Sequence, residues 1–176
     1  MNSNRFRASA LAVAMASLSG VMIFSQPASA AQTCTTNNRT QSMFGAVTEV
    51  LMEVPVCIEA LPDNKVRGKV VLEWESFNDG QADMTSKRFN SFKVTSRLER
   101  RDPGGDVVVA TKTCDFTANV NSVYDNLPSA NIVCLTPSAT LAPGTQWSGD
   151  STLVYDIAGD DKGAITWHLN GSPLMS

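Results

Sequence analysis

Hydrophobic residues in this chain recur at every second position over short stretches, and turn-forming residues separate the stretches. Over 66–77, Val70, Leu72 and Trp74 fall on one face and Lys69, Glu73 and Glu75 on the other, with Val71 the exception. That two-residue period belongs to a strand with one buried face. Over 89–101, Phe92, Val94 and Leu98 alternate with Lys93, Thr95, Arg97 and Glu99. Asp102-Pro103-Gly104-Gly105 follows, with the fixed and positive φ angles of a hairpin tip. The stretch 106–120 is therefore expected to return as the partner strand, with Val108, Ala110, Cys114 and Phe116 on one side. Later, 147–157 sets Leu153, Tyr155 and Ile157 on one face, 159–163 predicts a second hairpin tip, and 164–169 aligns Ile165, Trp167 and Leu169.

Other stretches are less regular. Residues 32–40 are polar and read as a loose arm pinned by Cys34. Residues 47–58 are rich in Val and Leu, and a strand is expected there, with Pro55 demoting its end to an edge or a bulge. Phe44, Val47, Val50, Leu51 and Val54 also approximate helical spacing, so a helix over 43–53 is the alternative. Turns are expected at Asn78-Asp79-Gly80 and Pro143-Gly144, a loop over 124–131 centred on Pro128, and a short strand over 131–135 that ends in Thr136-Pro137. About seven short strands with frequent turn signals predict an all-β chain, an antiparallel β-sandwich of immunoglobulin-like type. No fixed-period repeat points to a propeller or solenoid.

The first thirty residues follow another rule. Arg5 and Arg7 precede an apolar run over 8–24, and Ala28-Ser29-Ala30 closes it as an A-x-A cleavage site. This predicts a signal peptide over 1–30 and a single secreted domain over 31–176. Export places Cys34, Cys57, Cys114 and Cys134 where disulfides persist. Four cysteines allow three connectivities. The expected one joins Cys34 to Cys57 and Cys114 to Cys134, because each pair encloses a short local segment. Loops of this length contribute about 3 kcal/mol each in the chain-entropy model. A zinc site is disfavoured, since no C-x₂-C pair exists and His168 is the only histidine.

Seventeen acidic residues outnumber fourteen basic ones, and two arginines leave with the leader. Such a chain lacks the basic face that nucleic acid or an anionic membrane surface would need. No second apolar stretch approaches the roughly 20 residues of a membrane span. Against this background Lys87, Arg88, Lys93, Arg97, Arg100 and Arg101 gather positive charge near one strand. They are either a docking patch for an acidic partner or the charged, wet face of a sheet.

Catalytic signals are thin. His168 lies between Trp167 and Leu169 on the opposite face and reads as an exposed strand histidine. Gly149-Asp150-Ser151 has the order seen in trypsin-like proteases, but Thr152-Leu153 replaces the following glycines and no histidine precedes it as base. Glu73 and Glu75 share a strand face and do not span a sugar from opposite sides. Asp156, Asp160 and Asp161 miss the EF-hand spacing and suit a hairpin tip. No cofactor is expected. Trp74 and Trp167 fit core faces; Trp147, at a strand start after a turn, is a candidate for partial exposure, where an indole would anchor a protein or stack on a sugar. Asn38-Arg39-Thr40 and Asn170-Gly171-Ser172 match the N-glycosylation pattern.

The leader, the opening Cys34-Thr35-Thr36, and the block Val154-Tyr155-Asp156-Ile157 with Trp167 resemble small secreted two-disulfide proteins of high-GC Gram-positive bacteria. Some small exported β-proteins of that kind inhibit proteases, and others are adaptor subunits of secreted toxin particles. No site residue carries over from the resemblance. The leading expectation is a non-enzymatic binding or adaptor module that engages an extracellular protein or a glycan. A protease inhibitor is the runner-up, with Leu127 and Pro128 in its reactive loop, or Arg101-Asp102 at the hairpin tip. A hydrolase working through carboxylates alone is the third reading.

Overall fold

The computed structural model describes residues 31–44, 49–77, 87–122 and 132–176. The leader, the Asn78-Asp79-Gly80 turn and the loop containing Leu127 and Pro128 lie outside the described residues. Two antiparallel sheets pack face to face, as the alternating pattern requires. The first contains β1 (Gln32–Ser42), β2 (Glu49–Leu61), β3 (Lys65–Phe77) and β6 (Ile132–Leu135) in the order β1-β2-β3-β6, with the short β7 (Ala139–Thr140) also against β3. The second runs β5-β4-β8-β9, from β5 (Gly105–Asp115) and β4 (Phe89–Asp102) to β8 (Gln146–Ile157) and β9 (Ile165–His168). The expected sandwich is present, with nine strands among the described residues rather than about seven. Its first three strands form a meander within one sheet, whereas an immunoglobulin domain sends its third strand to the other sheet.

Three local expectations need correction. Residues 32–40 are not a loose arm: β1 pairs with β2 along its whole length, from Gln32 opposite Glu59 to Ser42 opposite Glu49. Its polar sequence suits an edge strand, and its inward residue Asn37 supplies hydrogen bonds instead of apolar area. Asn170 N–H donates to Asn37 Oδ1 (2.7 Å), and Asn37 Nδ2 donates to Asn170 O (3.1 Å) and Val54 O (3.3 Å). One buried amide thus ties the first sheet to the chain that leaves the second. Pro55 sits in the central strand β2, not at an edge. The ladder to β1 runs through it, while pairing with β3 skips Val54 and Pro55, so the missing N–H is absorbed by a gap. The strand reading of 43–53 holds from Glu49 onward.

The third correction concerns β5. It ends at Asp115, and the chain then forms a short helix, α1 (Thr117–Ser122). Asp115 Oδ1 accepts from Thr117 N–H (3.0 Å) and Oγ1 (2.6 Å) at the helix start. Asn121 Oδ1 accepts from the backbone of Arg88 and Phe89, which fastens α1 to the start of β4. A bulge also interrupts β5: Leu98 faces Ala110 while Glu99 faces Val108, so Val109 has no partner. The slip turns Val108 away from the core, and Val107, Val108 and Val109 are all exposed. On the other side of the bulge, Lys112 shares the inner face with Ser96, its partner in the ladder. A bulge and an inward-facing lysine both discourage another strand from adding to this edge.

The core has two parts. The larger combines Val50, Met52, Val54 and Val56 of β2 with Leu72 and Trp74 of β3 and with Phe89, Phe92, Val94, Leu153 and Tyr155 of the facing sheet. Phe89, Phe92 and Tyr155 form an aromatic trio with centroids 5.0–5.9 Å apart. The smaller comprises Ile58, Val66, Leu98 and Trp147. Between them the sheets approach closely. A Cβ on Gly149 would lie 2.3 Å from Cys57 O, and one on Gly68 would lie 2.7 Å from Arg97 O. Gly149 belongs to the Gly-Asp-Ser triplet, and this main-chain contact explains its glycine. Cys34–Cys57 joins directly paired residues of β1 and β2, and Cys114–Cys134 joins β5 to β6 across the two sheets. No described helix is long and apolar enough to cross a membrane.

Candidate functional site

The outer face of β4 and β8 carries alternating charged and hydroxyl side chains because its inner face carries Leu98, Trp147, Gly149, Ser151 and Leu153. Arg97 faces Asp150 and Glu99 faces Ser148 across the ladder. Past β9 the chain stays beside β8. Leu169 N–H donates to Ser151 O, Ser172 N–H donates to Gly149 O, and Trp147 and Met175 exchange both backbone bonds at 2.8 Å. Gly149 N–H donates in turn to Ser172 Oγ (2.8 Å). This terminal strap turns part of the flat face into a cleft of about 350 Å³, lined by Glu99, Arg101, Asp106, Ser148, Asp150 and Asn170 among others.

The charges in the cleft are unevenly satisfied. Arg97 donates to Asp150 Oδ2 (2.8 Å) and Thr152 Oγ1 (3.0 Å), and its Nε lies 3.5 Å from Glu99 Oε1. Asp150 Oδ1 also accepts from Ser151 N–H (2.6 Å). Arg101 and Asp106 form a two-point ion pair. Glu99 has only the long contact to Arg97, although its side chain is 13% exposed. Burial holds the Glu99 carboxyl above the ordinary value of 4.5; the Asp150 charge adds to the rise, Arg97 opposes it, and Asp106 adds a little more. Ser148, opposite Glu99 in the ladder, is 8% exposed as a whole residue.

No protein family model, no curated protein and no solved structure matches this chain.

The residues singled out from the sequence scatter around this cleft. Trp147 is the clearest correction. It is 3% exposed, packs in the smaller core cluster, and donates from Nε1 to Thr145 Oγ1 (2.7 Å). It has no free face for a sugar or a partner. The basic cluster is not a free positive patch. Arg97 belongs to the carboxylate network just described. Arg100 pairs with Asp102 at 2.8 and 2.9 Å, and Arg101 pairs with Asp106. Arg88 is buried and donates to Val120 O (2.9 Å). His168 is exposed opposite Thr152. Glu73 lies directly across from Glu53 on the outer face of the other sheet, away from Glu99. Asp160 accepts from Lys162 N–H within its hairpin, and among the described residues no group of His, Cys, Asp and Glu converges to hold a metal ion.

Sequence reasoning missed Ser148 and Glu99. Glu99 was visible as an outward residue of its strand. Ser148, its neighbour in the ladder, and Asn170, which shares the cleft lining, lie far along the chain, and strand pairing and the path of the strap bring them together.

Proposed function

We propose that this is a secreted, non-enzymatic binding module that engages another extracellular protein through the cleft on the outer face of β4 and β8. The observation that carries the reading is a charged cleft held on a rigid frame. Its floor is two central strands, its wall is a hydrogen-bonded strap, and two disulfides brace the sandwich behind it. Sites held by regular elements keep their geometry without a ligand, which lowers the ordering cost of binding. The leader pattern and two disulfides support export. A protein fits better than a glycan, because the indole that would have offered a sugar platform is buried and the cleft lining is dominated by charge. An adaptor subunit of a larger secreted assembly is one form of the same function. The inhibitor reading draws less support, since Arg101 and Asp102 at the hairpin are both held by ion pairs.

The test is affinity capture of the tagged protein from the extracellular medium of its own host, repeated with an Asp150→Asn variant. A stoichiometric protein retained by the wild type and lost with the variant is the expected result. Equal retention by both would remove the cleft from the function. A hydrolytic activity abolished by Glu73→Gln would replace the binding reading with an enzymatic one.

A further inference from the structure

The outer face of the first sheet is polarised along its strands. Val66, Gly68, Val70, Leu72 and Trp74 of β3 are buried, so its outward row reads Arg67, Lys69, Val71, Glu73, Glu75. Two cations stand on one side of Val71 and two carboxylates on the other. The neighbouring strands continue the apolar middle: Pro55 of β2 lies level with Val71, and Val133 of β6, 40% exposed, pairs with it. On the acidic side Glu53 directly opposes Glu73, and like charges placed so are destabilising. No ion pair reaches Glu53, Glu73 or Glu75 among the described residues. On the basic side Glu59 holds Arg67 (2.7 Å), whereas Lys69 meets only the neutral Gln32 Oε1 (3.2 Å). An apolar centre with opposite charges at equal steps on either side is complementary to itself when turned end for end.

We infer that this face packs against the same face of a second copy, about a two-fold axis that crosses β3 at Val71. Such an interface is isologous, so each contact occurs twice. Val71 meets its own copy, and Lys69 of each chain meets Glu73 of the other, which relieves the repulsion between Glu73 and Glu53. Packed sheets lie about 10 Å apart, a gap that a lysine and a glutamate span together. Sheet twist crosses the two β3 strands at about 30°, which displaces partners two residues from the axis by about 3–4 Å, within side-chain reach. Arg67 and Glu75 lie twice as far out, so Lys69–Glu73 is the defining pair. Strands of 11, 13 and 13 residues with the short β6 offer up to about 650 Å² per copy, or about 1,300 Å² in the dimer. That exceeds the roughly 1,000 Å² a specific interface needs. The result is a four-layer stack with the two charged clefts on its opposite outer faces, a bivalent form of the module. The inference uses no residue of the cleft and does not depend on it.

The experiment is sedimentation equilibrium of the exported chain over a series of concentrations, with its charge variants. The expected result is a reversible monomer–dimer equilibrium with a dissociation constant on the order of micromolar, as suits an interface of modest area. Glu73→Lys or Lys69→Glu alone should weaken the dimer by about tenfold or more, because each sets like charges face to face twice. An equimolar mixture of those two variants should pair as well as the wild type, since every facing pair is again of opposite sign. Lys93→Glu, the same charge change on the outer face of β4, should leave the equilibrium unchanged. If Lys69→Glu disturbs folding through its contact with Gln32, Glu73→Lys and the double exchange on one chain, which should restore pairing, carry the test. A chain that stays monomeric throughout, a dimer indifferent to the single changes, or variants that fail to pair with each other would overturn the inference. So would a different protein captured by a monomeric wild type and released by Glu73→Lys, because the face would then have another occupant. Loss of partner capture with Asp150→Asn concerns the other sheet, so failure of the cleft reading and failure of the dimer are seen separately.

Discussion

Replacing Gly149 with alanine tests whether the sheets meet main chain to main chain at their waist. The new methyl would sit 2.3 Å from Cys57 O and 2.9 Å from Cys57 C. Both are backbone atoms in the middle of β2, so no rotamer change relieves the overlap. Ordinary contact begins near 3.4 Å, so β8 and β2 must part by about 1 Å, a gap that forfeits a quarter to a half of each affected dispersion contact. The contacts at risk are those of Ile58, Val66, Leu98 and Trp147, which are all buried beside the waist. Overpacking of this kind costs about 1–3 kcal/mol, and the rigid neighbours place Gly149→Ala near the top of that range. Lower unfolded-state entropy of alanine returns about 0.4–1 kcal/mol. The net expectation is a loss of about 2 kcal/mol, or a drop of about 4–8 °C in melting temperature for a chain of this size. Urea and thermal unfolding with the disulfides intact would measure it. Gly104→Ala is the control, because nothing lies within 4 Å of its Cβ position; it should stay within about 0.5 kcal/mol of the wild type. Gly68→Ala, with a 2.7 Å approach to Arg97 O, should fall between the two. If Gly149→Ala unfolds at the same urea concentration as Gly104→Ala, the close contact is not what selects glycine.

Further outcomes follow from single contacts. Ser96 is fully buried and its hydroxyl has no partner among the described residues, so Ser96→Ala should stabilise the fold by about 1 kcal/mol in chemical unfolding. Asn37→Ala removes the amide that links β1 to residue 170; it should cost about 2 kcal/mol and speed hydrogen exchange at Asn170 N–H. The double change Cys114→Ser with Cys134→Ser opens the link between the sheets and should cost about 2–4 kcal/mol in the same assay. The raised carboxyl of Glu99 sets a sign for pH. Above 4.5 the unfolded chain loses that proton first, so wild-type stability should fall relative to Glu99→Gln as pH rises through the elevated folded value. Paired melts at pH 3.5 and 7 would show whether the difference opens upward; a difference that opens toward acid would refute the assignment.

The strands with clean alternation were legible because each buries one face and exposes the other. Val70, Leu72 and Trp74 are buried as their spacing requires, and so are Leu153, Tyr155 and Ile157. The turns at Gly105, Gly144 and Gly159 all have positive φ. The edge strand β1 escaped notice because its inward positions carry Asn37 and Arg39 in place of aliphatic residues. Arg39 lies over the rings of Tyr155 and Trp167, 5.8 and 5.5 Å from their centroids, so its charge and stem fill an apolar slot. The misplacement of Val108 came from one extra residue, since a bulge reverses the faces of everything beyond it. Trp147 looked exposed because a turn precedes it, but residue 175 returns to pair with it and seals that end. The cleft was illegible for the same reason: it depends on a long-range return of the chain that no local pattern encodes.

The bond between Cys114 and Cys134 encloses α1 and the stretch that leads to β6. A protease that nicks the chain anywhere inside this ring would create two fragments that remain covalently joined. Their new ends would stay at an effective concentration in about the millimolar range, and the fragments would keep their pairing in both sheets. Such a nick would pass unseen on a gel until a thiol was added, and only then would the molecule come apart in two.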